Sequence, residues 1–249
     1  MPPYIQAGLW GLLSGSALVL GATVARMVTL PPRLIATIMA FGSGVLISAL
    51  SFELMDEAFR QGGFDSTAFG FLTGAAVYTM ANIAISRRGG HHRKRSGEQQ
   101  QTAEEGGGLA IAVGALLDGV PESIVIGVSL LQGGGVSLVA VIAVFLSNIP
   151  EGLSSAAGMR RARRSDRYIF GVWGGIALAS GLAALIGYTA FAGAGPDLLA
   201  LTNAVAAGAI LAMLVDTMIP EAFEETQEYA GLITVTGFLA AFVLSKMSG

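Results

Sequence analysis

Hydrophobic residues form long, nearly unbroken runs along this chain, and short polar connectors separate them. A helix that crosses the roughly 30 Å hydrocarbon core of a bilayer needs about 20 mostly apolar residues. The runs that meet this requirement are residues 5–25, 34–58, 67–86, 108–131, 136–159, 168–191, 197–222 and 230–247. The pattern predicts an all-α fold: a polytopic membrane helix bundle with eight transmembrane helices, in which residues 1–249 form a single transmembrane domain in the lipid bilayer.

The connector between spans 3 and 4, residues 87–107, is the longest and the most polar. Its charged residues and histidines are Arg87, Arg88, His91, His92, Arg93, Lys94, Arg95, Glu98, Glu104 and Glu105. Three glycines follow the last two acids, and such a composition is typical of a solvated chain. We therefore predict a flexible cytoplasmic loop, and we interpret its histidine pair as a solvated feature, with a metal-sensing role left open.

Basic residues are distributed unevenly between the two sides of the predicted membrane. Of the 14 Lys and Arg residues, two lie in connector 1–2, five in connector 3–4 and five in connector 5–6. These three connectors are on the same side, and cytoplasmic connectors carry an excess of Lys and Arg. The distribution predicts that both termini lie outside, in a plasma (inner) membrane.

Composition narrows the function further. Apolar residues make up 53% of the chain and charged residues 12%, with a mean hydropathy of +0.67. A soluble domain usually has about twice that charge. The sequence contains no cysteine, which removes disulfides and thiolate metal ligands together. It also lacks a nucleotide-binding motif, and we predict neither an enzyme, nor an organic cofactor, nor a nucleic-acid partner.

Ionisable residues occur in the middle of spans 4 and 5. Such a residue costs at least about 2.5–3.5 kcal/mol at the bilayer centre, so it normally faces the bundle interior and marks a pathway. Asp118 and Glu122 are four residues apart, which places both carboxylates on one helix face. In span 5, Ser147 and Asn148 precede Glu151 by four and three residues and share its face.

Two prolines increase the number of acceptors at this depth. Pro121 and Pro150 cannot donate a hydrogen bond, which frees the carbonyl groups of Leu117 and Leu146. Three carboxylates so close together cannot all stay ionised without a cation. We therefore predict that this site holds a divalent metal ion, protons, or each in turn.

Five further acids lie nearer the predicted membrane surfaces. They are Glu53, Asp56 and Glu57 at the outer end of span 2, and Asp216 and Glu221 toward the cytoplasmic end of span 7, with Asp216 the deeper of the last two. Two interpretations stay open for them: interfacial solvation, and a vestibule or gate that attracts ions.

The sequence contains two pairs of similar segments. Asp118-Gly119-Val120-Pro121-Glu122 corresponds to Ser147-Asn148-Ile149-Pro150-Glu151, and Gly44 precedes Glu57-Ala58-Phe59 at the interval by which Gly208 precedes Glu221-Ala222-Phe223. The members of each pair run in opposite directions through the predicted membrane. This arrangement predicts an inverted repeat of spans 1–3 and 6–8 around spans 4 and 5.

These Pro-Glu segments and the predicted topology resemble the ZIP (Zrt-, Irt-like) family of divalent metal transporters. The resemblance covers the whole chain in topology and, in motif, the two Pro-Glu segments and the patterns of spans 2 and 7. It implies eight spans, both termini outside, a variable cytoplasmic loop after span 3, and a metal site lined by spans 4 and 5 in the middle of the membrane.

The chain departs from the family pattern at several positions. The family's span 4 usually reads His-Asn-x-Pro-Glu-Gly, whereas this chain has Asp118 and Gly119 before its Pro-Glu pair. Span 6 contains no acid, and Leu46 aligns with a thioether ligand of span 2. The resemblance then implies an atypical member with one metal site, formed by Asp118, Glu122, Glu151 and either Ser147 or Asn148.

The expected function is transport of a divalent metal cation of the zinc, manganese or iron class, with the ion as substrate. Zinc favours imidazole and thiolate ligands, whereas oxygen-only sites suit Mn²⁺ or Mg²⁺. We expect spans 4 and 5 to move against a bundle that includes spans 2 and 7, although a continuous channel also fits. The alternatives are transport of another solute, loss of metal transport, and an intramembrane metal-dependent hydrolase; a homodimer stays open.

Overall fold

A computed structural model of the protein describes residues 1–102, 108–132 and 135–248, and all regular elements in these ranges are helical. The α-helices are α1 (Pro3–Met27), α2 (Pro32–Ala49), α3 (Asp56–Ile85), α4 (Gly108–Ser129), α5 (Leu138–Arg161), α6 (Asp166–Phe191), α7 (Pro196–Met213), α8 (Ile219–Thr226) and α9 (Ala230–Ser248). π-Helical turns follow α2, α3 and α7 at Leu50–Met55, Ser86–Gly90 and Leu214–Met218, and a 3₁₀ turn spans Gln227–Tyr229. The predicted all-α fold is confirmed.

Six helical stretches in the described ranges are long and apolar enough to cross a membrane, which indicates an integral membrane protein. Four have 22 to 26 residues, but Pro32–Gly90 has 59 and Pro196–Met247 has 52. A straight helix of 59 residues would be about 90 Å long, three times the hydrocarbon thickness. Both long stretches contain a break in the left-handed backbone region, at Gly63 (φ 67°) and at Gln227 (φ 39°).

The long helices pack in two groups. The first helix group is α1, α4, α5 and α6, in which α1 lies along α5 and α6, and α4 lies along α6. The second helix group is α2, α3, α7 and α9, in which α3 packs on α7, and α2 on α9. One apolar core, around Leu18 and Trp173, lies mainly in the first group and includes Ile35 of α2. Another, around Leu46 and Ile210, lies mainly in the second group and includes Val125 of α4.

Glycines allow α1 and α5 to approach closely beside the Pro-Glu segment of α5. A Cβ atom on Gly21 of α1 would clash with the carbonyl oxygen of Ile149, and a Cβ atom on Gly152 of α5 would clash with that of Leu18. Small residues that permit such backbone contact are common between helices in membranes. These two glycines therefore allow the backbones of α1 and α5 to be in direct contact here.

The arginine-rich connectors meet at one end of the bundle, called here the basic end. Arg160 donates to the carbonyl oxygen of Arg26 (3.1 Å), Arg26 pairs with Asp166 (2.8 Å), and Arg164 donates to the carbonyl oxygen of Thr102 (2.9 Å). At the other end, Glu53 accepts hydrogen bonds from residues that precede α5 and end α9. The connectors predicted to share one side therefore lie together.

Residues 86–102 are exposed only in part, with Arg87, Arg88 and His91 on the surface. The π-helical turn Ser86–Gly90 extends α3, and the chain then turns back into the bundle, where Arg93, Lys94, Ser96 and Gln100 are all at most 4% exposed. The reason is electrostatic, because buried carboxylates on α4 and α5 attract the two basic side chains. Glu104 and Glu105, the acids of the same predicted loop, lie outside the described residues.

Candidate carboxylate site

The candidate site lies where α4 and α5 face each other in the interior. Both helices are continuous through their internal residues Pro121 and Pro150. The carboxylates of Asp118, Glu122 and Glu151 are 1%, 2% and 4% exposed, so none of them has enough contact with solvent to be stabilised by it. All three acids of spans 4 and 5 therefore lie in the interior of the bundle.

Asp118 is held by the guanidinium group of Arg93. Arg93 Nε donates to Oδ2 of Asp118 (2.9 Å), and Nη2 donates to Oδ1 (2.8 Å), which is the bidentate geometry of a strong ion pair. The hydroxyl of Tyr78 on α3 donates to the same Oδ1 (2.6 Å). Arg93 Nη1 donates to Oδ1 of Asn82 (2.9 Å) and to the carbonyl oxygen of Gly90 (3.2 Å).

Lys94 places its ammonium group between two of the carboxylates. Its Nζ lies 2.9 Å from Oε2 of Glu151 and 3.3 Å from Oδ2 of Asp118, and its side chain is 2% exposed. Neither contact has the angle of a well-aligned hydrogen bond within the part of the chain that the structure describes. The ammonium therefore acts as a point charge that links α4 to α5.

Glu122 has different surroundings from the other two acids. It borders a cavity of about 20 Å³ whose other walls are apolar, and its Oε1 has no hydrogen-bond partner among the described residues. The apolar walls are Leu46, Ala49, Leu50, Leu54, Val125, Ala140, Val144 and Ile210. Glu122 interacts electrostatically with Glu151, Lys94 and Asp118, so it belongs to the same cluster without direct pairing.

Ser147 and Asn148 direct their donors away from the carboxylates. The hydroxyl of Ser147 donates to the carbonyl oxygen of Val144 in its own helix (3.0 Å), and the amide of Asn148 donates to the carbonyl oxygen of Ser14 on α1 (3.0 Å). Both residues are buried, as predicted. The structure thus brings Asp118, Glu122 and Glu151 together. The donors of Ser147 and Asn148 bind backbone carbonyl oxygens instead of these carboxylates.

Two cavities lie on opposite sides of this cluster. A cavity of about 610 Å³, called the Glu53 cavity, shares Leu54, Val125 and Ala140 with the small apolar cavity at Glu122. A cavity of about 150 Å³ at the basic end, called the His91 cavity, is lined by His91, His92, Lys94, Arg95, Asp216, Thr217 and Pro220. An apolar layer separates the first cavity from Glu122, and Lys94 separates the second cavity from Glu151.

The acids predicted to form a vestibule or gate divide between these cavities. Glu53, Asp56 and Glu57 all line the Glu53 cavity. Glu53 accepts hydrogen bonds from the hydroxyls of Ser137 (3.1 Å) and Ser245 (2.7 Å), which join the π-helical turn after α2 to α5 and α9. Asp56 forms an exposed ion pair with Arg60, and Glu57 accepts a hydrogen bond from Gln61.

Asp216 and Glu221 differ in their exposure to solvent. Asp216 is exposed at the His91 cavity and accepts a hydrogen bond from Asn82 (3.1 Å), whereas Glu221 is 3% exposed. Glu221 accepts from the backbone amide of Ser96 and the hydroxyl of Ser154, both at 2.9 Å. The π-helical turn at Leu214–Met218 shifts the helical phase between the two acids, which the sequence spacing did not reveal.

Sequence reasoning missed Arg93 and Lys94 as members of the site, because it counted them only as connector charges. Two glycines mark the space that residues 93–100 occupy. A Cβ atom on Gly114 of α4 would meet the side chain of Arg93, and one on Gly158 of α5 would meet the carbonyl of Arg95 and the side chain of Gln100. Gly114 precedes Asp118 by one helical turn, so the sequence did place a residue without a side chain beside this acid, where another side chain can pack.

Burial and neighbouring charges determine the protonation states of Arg93 and His92. Burial alone would lower the pKa of Arg93, but the charge and hydrogen bonds of Asp118, together with Tyr78 and Glu151, outweigh burial and raise the pKa, so the guanidinium stays charged. Burial, followed by the positive influence of His91 and Arg95, lowers the pKa of His92. His92 is therefore neutral near pH 7, and the positive charge at the carboxylates comes from Arg93 and Lys94.

Across residues 1–102, 108–132 and 135–248, no three His, Cys, Asp or Glu side chains are arranged to hold one metal ion together. The geometry is consistent with this result, since Arg93 occupies the carboxylate of Asp118 and Lys94 lies between Asp118 and Glu151. A comparison of the chain with models of known protein families finds no match, and a comparison with curated proteins finds none either.

Proposed function

We propose that this protein carries divalent metal cations across a membrane through the Asp118, Glu122 and Glu151 cluster. One observation carries the proposal: three buried carboxylates from two helices lie between two cavities that approach them from opposite sides. A buried carboxylate in a membrane helix is costly to maintain and normally belongs to a pathway. Three of them at one depth form a cation site that a purely structural bundle does not need.

The proposed architecture is a ZIP-like bundle of eight spans, with each of the two long helical stretches divided at its break. Gly63 follows Gly44 by 19 residues, and Gln227 follows Gly208 by 19 residues. The π-helical turns begin six residues after the same two glycines. These equal offsets support an inverted repeat of spans 1–3 and 6–8.

Packing contacts support the same repeat independently. A Cβ atom on Gly44 would clash with the backbone of Thr234 on α9, and one on Gly208 would clash with the backbone of Phe71 on α3. The α2–α9 contact therefore has the same form as the α7–α3 contact. Inverted repeats are a common basis for alternating access, in which one group of helices moves against the other around a fixed site.

The ligand set favours hard divalent ions. The site offers carboxylate oxygens, and the sequence contains neither cysteine nor an intramembrane histidine. Carboxylate and carbonyl oxygens suit Mn²⁺ and Mg²⁺, whereas imidazole and thiolate select zinc. We expect transport of Mn²⁺ or Fe²⁺ without a strong preference for Zn²⁺; a hundredfold preference for Zn²⁺ over Mn²⁺ in competitive uptake would contradict this expectation.

The test is uptake of Mn²⁺, Fe²⁺, Zn²⁺ and Cd²⁺ into proteoliposomes that contain the purified full-length chain. The variant Glu122→Ala/Glu151→Ala should lose saturable uptake, because it removes the two carboxylates that Arg93 does not hold. Glu225→Ala/Glu228→Ala is the matched control, since it removes two exposed carboxylates at the basic end and should transport normally. Equal flux through the wild type and the site variant would refute the proposal.

A second candidate function is supported by the ion pairs themselves. Asp118 and Glu151 already have positive partners within the chain, so the same scaffold could carry a different solute or have lost metal transport. The same proteoliposomes distinguish the two functions. Absence of uptake for all four ions, with protein that is monodisperse and correctly inserted, would favour this second function.

A further inference from the structure

We propose that Lys94 is a tethered competitor for the cation site, so that a divalent ion binds at Glu122 and Glu151 only when the Lys94 ammonium leaves, while Arg93 stays on Asp118. This inference rests on the proposed function. It assigns different roles to two adjacent basic residues, and it makes Asp118 an anchor for Arg93 instead of a metal ligand.

The contacts of the two residues differ in strength. Arg93 makes five hydrogen bonds, to Asp118, Tyr78, Asn82 and the backbone of Gly90, all between 2.8 and 3.2 Å. A planar guanidinium bound in two places to one carboxylate is rigidly held, whereas an ammonium on a flexible stem is a mobile point charge. Among the described residues, the Lys94 side chain has two ion contacts, at 2.9 and 3.3 Å, and it is the group that can leave.

The charges of the cluster match an exchange of Lys94 for a divalent ion. Arg93 balances Asp118, which leaves Glu122 and Glu151 to balance whatever cation occupies the space between them. Lys94 supplies one positive charge there and contacts Glu151 but forms no ion pair with Glu122 in the described chain. A divalent ion supplies two charges, one for each of these carboxylates, so it has an electrostatic advantage over the ammonium.

The fold provides a place for the displaced ammonium. Lys94 already lines the His91 cavity, which has a volume of about 150 Å³, and the exposed carboxylate of Asp216 lies on the same cavity. The backbone beside Lys94 is fixed: its carbonyl oxygen accepts from the hydroxyl of Ser154 (2.7 Å), and the amide of Ser96 donates to Glu221 (2.9 Å). The exchange therefore needs rotation of one side chain into an adjacent cavity, without unfolding of the segment.

The sequence makes this exchange measurable, because it contains only two lysines, Lys94 and Lys246. Lys246 is exposed at the opposite end of the bundle, and the amino group of the exposed Met1 is a second reference. The purified wild-type protein would be treated briefly with an amine-acylating reagent, with and without Mn²⁺, and modification at each site quantified by mass spectrometry. Lys94 should be protected without Mn²⁺, and its labelling relative to Lys246 should rise about tenfold or more at saturating Mn²⁺.

A matched variant tests the site assignment. Glu122→Gln leaves both contacts of Lys94 intact and removes one proposed ligand, so Lys94 should stay protected at the Mn²⁺ concentration that exposes it in the wild type. Equilibrium Mn²⁺ binding gives a second measurement: Lys94→Met removes the competitor and should lower the apparent Kd about tenfold. Arg33→Met removes an exposed positive charge that lines neither cavity, and it should leave the Kd unchanged.

The outcomes separate this inference from the proposed function. Saturable Mn²⁺ uptake with Lys94 protected throughout would overturn the inference and leave transport standing. Lys94 that reacts as fast as Lys246 without Mn²⁺ would also overturn it. Exposure of Lys94 by Mn²⁺ in a protein without uptake would support the competition and overturn transport. No response to any divalent ion together with no uptake would overturn both.

Discussion

Removal of the positive charge of Arg93 should be among the most damaging single changes in this protein. The variant Arg93→Met keeps most of the side-chain length but leaves the Asp118 carboxylate without its bidentate partner. Both side chains of the pair are 1% exposed, so water cannot replace the lost contact. The complementary variant Asp118→Asn leaves the guanidinium unpaired in the same place.

The expected magnitude follows from this burial. Removal of one member of a buried ion pair costs about 3–5 kcal/mol, most of it from the uncompensated charge that remains. For a chain of 150–250 residues, 1 kcal/mol shifts Tm by about 2–4 °C, so each single variant should melt roughly 6–20 °C below the wild type. Since both variants lose the same interaction, the double variant should cost less than the sum, with a coupling free energy of up to about 3 kcal/mol.

The assay is thermal unfolding of the purified protein in detergent, followed by loss of the monodisperse peak in size-exclusion chromatography. Arg26→Met is the control, because Arg26 and Asp166 form an ion pair at 2.8 Å whose side chains are 54% and 49% exposed. Exposed pairs contribute about 0–1 kcal/mol. The reasoning fails if Arg93→Met and Arg26→Met have the same Tm, or if the costs of Arg93→Met and Asp118→Asn add without coupling.

Two further predictions concern glycines. Gly21→Ala should destabilise the protein by about 1–3 kcal/mol through overpacking against Ile149, whereas Gly171→Ala in α6, where a Cβ meets nothing within 4 Å, should be neutral or stabilising in the same melting assay. Gly114→Val should push Arg93 off Asp118 and make the neighbouring Lys94 reactive toward acylation without Mn²⁺; a variant that stays as protected as the wild type would contradict the placement of Arg93.

The sequence was sufficient to predict the helical fold and the burial of the three acids in spans 4 and 5. Long apolar runs have few alternatives to helices, and the resulting segments carry Asp118, Glu122 and Glu151 into the interior as predicted. The need for a positive partner was also predictable, since three close carboxylates require one. The source of that positive charge was not predictable, because Arg93 and Lys94 lie in a polar connector whose composition is typical of a solvated loop.

The direction in which side chains point was the second property that the sequence did not predict. The spacing of Ser147 and Asn148 relative to Glu151 places them on one broad helix face, but such a face is wide enough to contact two neighbouring helices. The Asn148 amide donates a hydrogen bond to α1 and so holds α5 against that helix. The Ser147 hydroxyl donates to a carbonyl oxygen of its own helix. A similar limit applies to the exposure of Asp216 and Glu221, since spacing rules assume a regular α-helix, whereas Asp216 lies in a π-helical turn.

The division of the bundle into two helix groups has an optical consequence. The chain contains two tryptophans, and both belong to the first group: Trp173 is fully buried in α6, and Trp10 in α1 packs against Ile126, Val141 and Val144 of α4 and α5. The second group contains none. Tryptophan emission, excited selectively over tyrosine, therefore originates in the first group alone. An energy acceptor attached to α3 or α7 would convert any movement of one group against the other into a change of fluorescence.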